Sequence, residues 1–222
     1  TGLPPRAALP YVFFPLPILM EKIGALADKR GEIEEAAHVI KMVSEENSPQ
    51  IPMENNLSKK LALQLRDSVP VVYGFRQYSA VAHRLKTQFN ENSKVPSRYD
   101  VFPELNHNEV VGWEASEDLT KMFSVLLVRD CNEPEEIRNK IEATKSIALQ
   151  KTGKVLEIYV KGEGKLAKMF SIITLGDFTS VYLAVLRRVD PVPVKTIDEM
   201  KKVTKKKFNA IEKVEKEIQR IT

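Results

Sequence analysis

The sequence predicts an α/β protein, a three-layer αβα sandwich around a mainly parallel sheet. Short apolar runs typical of strands alternate along the chain with longer segments in which apolar residues recur at helical spacing. The strand runs also lack the alternation of apolar and polar residues that is typical of a sheet with one solvent-exposed face, most clearly in SVLLVRD at 124–130. Hydrophobic residues make up 43% of the 222 residues and charged residues 29%, which are ordinary globular values. A buried parallel sheet needs helices on both faces, and this requirement gives the three layers.

Residues 1–67 are predicted to form a helical linker segment ahead of the sheet. The opening reads as a helix start, because Pro4 and Pro5 fit a first turn and Arg6 would project from that turn. A mature protein rarely begins in the middle of such a pattern, so we expect the chain to be the later part of a longer one. Two helices should follow, separated by an exposed loop at 44–56: one over 32–45 and a short one through Leu57, Leu61 and Leu65.

Residues 68–202 carry the alternation of strands and helices and are predicted to be the αβα domain. The expected segments are, in order, a strand at 69–75, a helix at 78–90, an extended segment at 98–102, a strand at 124–130, a helix at 133–152, a strand at 155–162 and a long apolar helix at 164–188. The helix at 133–152 has acidic residues in its first turn and ends at Gly153.

From Lys195 the chain is predicted to be a charged helix, and residues 203–222 an amphipathic helical extension. Apolar residues recur there mostly at intervals of three or four residues, as on one face of a helix: Val203, Phe208, Ile211, Val214, Ile218 and Ile221. Such a stripe packs on a neighbouring surface. Docking on its own domain and contact with a partner chain both remain open.

Composition disfavours several classes of protein. The net charge of +4 comes from 34 basic and 30 acidic residues, so the chain is nearly balanced and lacks the basic face of a nucleic-acid binder. No segment reaches the roughly 18 to 20 apolar residues expected of a bilayer span, so no membrane contact is predicted. The single cysteine, Cys131, excludes an intramolecular disulfide and a cysteine-rich zinc site. It favours a reducing compartment, and we expect the protein to be cytoplasmic.

His107 is the histidine most suggestive of a functional site. It lies in PELNHNEVVG (103–112), a polar cluster directly after a predicted strand. Ligands in open α/β sheets bind outside the carboxyl ends of strands, which makes these side chains site candidates. The alternative is a capped helix start, with Asn106 as the cap and Glu109 completing a capping box.

Glu91 and Arg6 are the other candidates that the residues suggest. Glu91 ends a predicted helix, where the macrodipole disfavours a negative charge and so favours proton uptake. The alternative is that Glu91 is an exposed polar residue at a helix end with no role in function. Arg6 stands in an N-terminal turn, where a cation is unfavourable, so it should have a compensating partner such as an anionic ligand.

Four segments together carry a resemblance to a known family: PPRAALPY (4–11), NENSKVP (90–96), PELNHNEVVGWE (103–114) and DPVPVKTIDEMKK (190–202). In this order they resemble the archaeal and bacterial bifunctional phosphoglucose/phosphomannose isomerases, members of the sugar isomerase (SIS) fold group. The resemblance implies a protein of two halves, each with a mainly five-stranded parallel sheet, of which this chain matches the later half. The earlier half, whose Ser- and Thr-rich loops bind the sugar phosphate, has no counterpart in the sequence.

The resemblance also implies roles for individual residues. Glu91 would be the base that moves a proton between C1 and C2 of the open sugar, and Arg6 would stabilise the enediolate. His107 would assist ring opening in the site of the neighbouring subunit. Lys201 would correspond to a C-terminal lysine near the ring oxygens, with Lys202 beside it as the alternative.

The implied activity interconverts glucose 6-phosphate, and with it mannose 6-phosphate, with fructose 6-phosphate. A threonine of the terminal segment is linked to mannose acceptance in the family, and here Val192 stands at that place with Thr196 nearby. No metal or other cofactor is needed for the proton transfer. The implied partners are the sugar phosphate and a second copy of the chain in a homodimer. The alternative function is a non-catalytic SIS module that binds sugar phosphates or dimerises.

Overall fold

The structure is a computed structural model that describes residues 2–207 and 210–221. It divides into two compact units, with the boundary between Pro191 and Val192. The first unit holds the sheet. The second consists of two helices, α9 (Lys195–Lys207) and α10 (Ala210–Ile221). Phe208, which belongs to the predicted apolar stripe, lies outside the described residues.

The first unit contains a parallel sheet whose strands are β1 (Val69–Phe75), β2 (Arg98–Phe102), β3 (Phe123–Arg129) and β4 (Lys154–Tyr159). Their order across the sheet is β2-β1-β3-β4, and every neighbouring pair is parallel. In β1, Val71 pairs with Arg98 of β2 on one side and with Val125 of β3 on the other. The expectation of about five strands is therefore corrected to four in the described part of the chain. The apolar strand runs of the sequence number four, and after β4 the chain enters a helix.

The helices of the first unit are α1 (Leu9–Phe13), α2 (Pro15–Lys22), α3 (Arg30–Glu46), α4 (Leu57–Leu65), α5 (Tyr78–Glu91), α6 (Glu117–Thr120), α7 (Glu135–Ala143) and α8 (Lys165–Leu186). The crossovers β1–α5–β2 and β3–α7–β4 advance in opposite directions along the sheet. Right-handed crossovers therefore place α5 and α7 on opposite faces. This arrangement confirms the predicted three-layer αβα sandwich.

Helix α8 is the central helix of the first unit and packs against α3, α4 and α5. A Cβ added at Gly176 would lie 2.7 Å from the Leu85 side chain, so glycine there lets α8 approach α5 closely. By length and composition α8 could cross a membrane, which corrects the expectation that no segment is long enough. The structure buries 56% of its most apolar window, as in a core helix.

One predicted helix is much shorter in the structure. The helix expected over 133–152 ends at Ala143 and continues as a π-helical turn over Thr144–Ala148. The Thr144 hydroxyl donates to the carbonyl of Lys140 at 2.8 Å, a side-chain bond that competes with regular helix geometry. At the start of the chain, α1 ends one residue before the Phe14–Pro15 junction, because a proline has no backbone N–H to extend a helix.

Candidate active site

Glu91 is the last residue of α5, and the chain turns there toward β2. Helix α5 packs on β1 and β2, and because these strands are parallel it runs back to the edge at which strands begin. Lys94, whose backbone is left-handed with φ of 53°, and Pro96 prevent the helix from continuing. Glu91 is thus held at the amino edge of the sheet. Its side chain is 36% exposed, which leaves the carboxylate accessible to a small molecule.

Arg6 reaches Glu91 from a 3-10 turn over Pro5–Ala7. Its Nε donates to Asn92 Oδ1 at 2.7 Å, and its Nη2 donates to the carbonyl of Pro191 at 2.7 Å. Its Nη1 lies 3.7 Å from Glu91 Oε2, and its side chain is only 11% exposed. The structure therefore brings two of the four predicted site residues together in a partly buried ion pair.

The main chain of Arg6 is held by two side chains of α5, which are themselves bonded to α8. The side chains of Arg84 and Gln88 donate to its carbonyl at 2.9 and 3.3 Å. Both also donate to the carboxylate of Asp177, at 2.9 and 2.6 Å. Burial raises the pKa of Asp177, although the charge of Arg84 acts in the opposite direction. Because these hydrogen bonds hold the Arg6 backbone in place, its guanidinium is suited to act as a fixed electrostatic group.

Lys94 lies beside the ion pair, and the sequence reasoning gave it no role. Its ammonium group donates to the carbonyl of Glu91 and to that of Pro191, the latter at 3.3 Å. Burial and the nearby charge of Arg6 lower the pKa of Lys94. An open depression of about 770 Å³ at the same edge is lined by Arg66, Lys94 and Arg187, among others. The amino edge thus carries more cations than the sequence reasoning assigned to it.

His107 is exposed and ends a 3-10 turn over Glu104–Asn106 that follows β2. The neighbouring Asn106 donates through Nδ2 to the hydroxyl of Thr144 at 2.8 Å, which ties the histidine segment to the π-helical turn. Strand β2 lies between Glu91 and His107, and its five residues span roughly 17 Å at the usual rise of a strand. The two side chains are therefore at opposite edges of the sheet, and the structure does not bring them together within one chain.

The capping-box interpretation of the His107 segment is wrong. The cap is Asn108, not Asn106, because Asn108 Oδ1 accepts from the backbone N–H of Glu109 at 2.5 Å. The carboxylate of Glu109 points inward and accepts from the hydroxyl of Tyr73 at 2.7 Å. Trp113 Nε1 donates to the same hydroxyl at 2.9 Å, so the 3-10 turn over Glu109–Glu114 is anchored on β1 near both of its ends.

The carboxyl ends of β1 and β3, where the strand order reverses, are the usual ligand position in such a sheet. The structure fills this position with a buried cluster of its own side chains. Asp130 accepts from the hydroxyl of Tyr78 at 2.6 Å and pairs with Lys168 at 3.1 Å. Burial acts to raise the pKa of Asp130, but these bonds and the N–H of Asn132 outweigh it and hold that pKa below its usual value.

The amino terminus of α8, a second position at which an anion could bind, is also occupied. Its N-cap is Gly164, which has no side chain to offer. The carboxylate of Glu35 on α3 instead accepts from the N–H groups of Glu163 and Gly164, at 2.7 and 3.1 Å. These two bonds lower the pKa of Glu35. Two positions for an anion at the carboxyl edge of the sheet are therefore occupied by side chains of the chain itself.

Lys201 and Lys202 lie on α9 of the second unit, and both are exposed. Val192 and Thr196 belong to the same unit. Among the residues that the structure describes, no three His, Cys, Asp or Glu side chains are grouped so that they could hold a metal ion.

Comparison with known proteins points to one family. Residues 54–203 match the family model of the bacterial phospho-glucose isomerase C-terminal SIS domain. A bifunctional phosphoglucose/phosphomannose isomerase of Caldicellulosiruptor bescii is 41% identical over 202 residues, which are 90% of this chain and 60% of that protein. Its counterpart in Aquifex aeolicus is 35% identical over 207 residues, 92% of this chain and 60% of that protein. The chain thus spans about 60% of the length of these relatives.

Solved structures have the same fold. A glucose-6-phosphate isomerase like protein from Thermus thermophilus superposes with a TM-score of 0.65 at 21% identity, over 78% of this chain and 57% of that one. Glucosamine-6-phosphate deaminase from Thermotoga maritima gives a TM-score of 0.56 at 12% identity, over 85% of this chain and 54% of that one. At these identities the likeness establishes the fold alone.

Proposed function

Because the chain belongs to the family of bacterial phosphoglucose isomerase C-terminal SIS domains, we propose that it is part of an aldose–ketose isomerase. The enzyme interconverts glucose 6-phosphate with fructose 6-phosphate in the cytoplasm, and mannose 6-phosphate is the second candidate substrate. The observation that carries the proposal is the ion pair at the amino edge of the sheet. An accessible carboxylate there faces a guanidinium that is bonded to Asn92 and to the carbonyl of Pro191.

The proposed reaction is a proton transfer through an enediolate. The Glu91 carboxylate takes the proton from C2 of the open aldose, and the negative charge moves to O1. A proton then passes from the hydroxyl on C2 to O1. Glu91 returns its proton to C1 while O2 becomes the carbonyl oxygen of the ketose. Arg6 stabilises the anionic intermediate, and its Nη1, 3.7 Å from Glu91 Oε2, lies close enough to orient the carboxylate for the first step.

His107 acts in this proposal on the closed ring, in the site of a neighbouring copy of the chain. Its position at the far edge of the sheet from Glu91 supports this division, because one chain cannot supply both side chains to one sugar. Lys201 is proposed to contact the ring oxygens, with Lys202 as the alternative. Lys94 adds a further cation beside Glu91.

The test of the proposal is substitution of the base in the complete protein that contains this chain. Glu91→Gln keeps the shape of the side chain and removes the base, so isomerisation should fall by a factor of roughly 10² to 10⁴. Exchange of solvent deuterium into C2 of the sugar should fall with it. Glu104→Gln is the matched control, because Glu104 is an exposed glutamate on the far side of β2. Near-native exchange in Glu91→Gln, with loss in Glu104→Gln, would assign the base to Glu104 and refute the proposal.

A second candidate function is a non-catalytic SIS module. The filled positions at the carboxyl edge favour the dimerising form of such a module over the phosphate-binding form, because Asp130, Lys168 and Glu35 occupy the positions at which a phosphate could bind. A module of this kind would bind or dimerise without turnover. Measurable isomerase activity that depends on Glu91 separates the two candidates.

A further inference from the structure

The structure assigns a role to Asn92: it is the positioning residue that sets the orientation of the Arg6 guanidinium toward Glu91. This inference rests on the proposed isomerase function, in which Arg6 stabilises the enediolate. Asn92 follows Glu91 directly but points away from solvent, with 7% of the residue exposed. It therefore acts through Arg6 and is not exposed to a substrate in the way that Glu91 is.

The amide of Asn92 links Arg6 to the core helix α8. Its Oδ1 accepts from Arg6 Nε at 2.7 Å, and its Nδ2 donates to the hydroxyl of Ser180 at 2.9 Å. That hydroxyl donates onward to the backbone carbonyl of Asp177 at 2.8 Å. Ser180 itself is fully buried. Arg6 is thus connected to the core by an unbroken chain of three hydrogen bonds.

The chain of bonds fixes which way the amide faces. Because the single hydroxyl proton of Ser180 is used on the Asp177 carbonyl, the hydroxyl oxygen can only accept from Asn92. The amide NH₂ must then point to Ser180 and the amide oxygen to Arg6. A flipped amide would set an NH₂ group against the Nε–H of Arg6, two donors face to face. The direction of each bond therefore follows from the next one toward the core.

Fixing Nε fixes the plane of the whole guanidinium. A guanidinium is rigid and planar, so the bond from Nε to Asn92 and the bond from Nη2 to the Pro191 carbonyl leave Nη1 directed at Glu91. Loss of Asn92 removes one of the two bonds that set this plane, while the bonds from Arg84 and Gln88 to the backbone carbonyl of Arg6 remain. Displacements of about 1 Å at a reacting group can cost on the order of a hundredfold in rate.

The chain offers a matched control next to the same carboxylate. Asn90 flanks Glu91 on its other side, and its Nδ2 donates to the carbonyl of Val95 at 2.9 Å, a bond within its own turn. Asn90→Ala and Asn92→Ala each remove one asparagine amide beside Glu91. Only the second removes the acceptor of the Arg6 Nε–H bond.

The experiment compares Asn92→Ala, Ser180→Ala and Asn90→Ala in the complete protein that contains this chain. For Asn92→Ala we expect kcat to fall on the order of tenfold to a hundredfold with KM changed much less, because Arg6 acts on the intermediate. Affinity for a planar hydroxamate analogue of the enediolate should fall in parallel, while affinity for an acyclic sugar-alcohol 6-phosphate should stay. Ser180→Ala should give a smaller loss of the same kind, and Asn90→Ala should be close to wild type. Ser180→Ala also serves as the test if Asn92→Ala does not fold.

A direct readout on Arg6 separates this inference from the proposed function. In NMR spectra of arginine-labelled protein, the Arg6 Nε–H should be protected from solvent exchange in the wild type and in Asn90→Ala, and lose that protection in Asn92→Ala. If the wild type has no isomerase activity, the proposed function fails while this signal still decides the role of Asn92. Retained protection in Asn92→Ala, or an equal loss of kcat in Asn90→Ala, overturns the inference.

Discussion

Glu91 and His107 act at different steps of the proposed reaction, so their substitutions should leave different signatures. His107→Ala slows ring opening, a step that also occurs spontaneously in water. We therefore expect a smaller loss of turnover than in Glu91→Gln, and deuterium exchange into C2 should persist at a reduced rate. The measurement is turnover and exchange with closed-ring sugar phosphate. His83→Ala is a suitable control, since His83 lies within α5 and contacts the ring of Tyr99. Complete loss of exchange in His107→Ala would assign this histidine to the proton transfer itself.

The buried pair of Asp130 and Lys168 is a residue-scale feature on which stability depends. Removing the carboxylate leaves an ammonium group buried without its partner, so Asp130→Ala should destabilise the fold by about 3 to 5 kcal/mol. The measurement is urea unfolding, with the exposed Asp118→Asn as the control. An unchanged unfolding midpoint in Asp130→Ala would show that the cluster is not a determinant of stability.

The same pair gives stability a pH dependence with a defined sign. Folding lowers the pKa of Asp130, so the carboxylate contributes its full stabilisation above the ordinary aspartate range. That contribution is lost as pH falls through the lowered value. The free energy of unfolding of Asp130→Asn should therefore depend less steeply on pH, in the acid range, than that of the wild type.

At the scale of elements, the start of α8 depends on a residue far away in sequence. Gly164 cannot cap the helix, and Glu35 on α3 caps it instead. Glu35→Ala should lower the unfolding midpoint, because two N–H groups lose their acceptor. Since folding lowers the pKa of Glu35, this contribution is present above the ordinary glutamate range and is lost as pH falls through the lowered value. The difference in midpoint between wild type and Glu35→Ala should therefore shrink in acid.

The control for Glu35 is Glu34→Ala on the exposed side of the same helix. A difference between the wild type and Glu35→Ala that stays constant down to strongly acid pH would contradict a charged cap.

The elements that the sequence predicted well are those fixed by local pattern. The apolar runs of β1 and β3 and the periodicity of α5 and α8 specify strand or helix by themselves, and their observed ends differ from the predicted ones by at most two residues. The elements that it missed depend on distant partners. The π-helical turn at Thr144 involves Asn106, and the cap of α8 comes from Glu35, so neither could be found from neighbouring residues.

The candidate site shows the same division. Glu91 and Arg6 could be named from their motifs, but the contact between them joins positions far apart in the sequence and required the fold. Asn92 stood in the NENSKVP motif without a role, because its function depends on Ser180 of α8. Lys94 was missed for a related reason: its left-handed backbone and its bonds to two carbonyls are properties of the folded turn.

At the scale of the whole molecule, the roles proposed for Glu91 and His107, together with their separation, predict a second chain. Each sits at its own edge of the sheet, so a two-fold dimer could bring His107 of one copy to Glu91 of the other. Exposed apolar side chains lie near the His107 segment, with Val111 56% and Ile147 77% exposed, and they line a depression of about 260 Å³ with Trp113. We therefore expect a dimer with residues 104–112 at or near its interface, and Ile147→Glu should weaken it in light scattering.

Mixing two impaired variants tests this arrangement by activity. In a heterodimer of Glu91→Gln with His107→Ala, one site receives the native Glu91 of one chain and the native His107 of the other, while the second site receives neither. Random exchange at equal amounts makes half of the dimers mixed, so about one quarter of wild-type activity should be recovered from these sites. The measured activity should rise above the mean of the two parent variants as subunits exchange. If the two residues served the same chain's site, every site in every mixture would lack one of them, and the activity would remain at that mean.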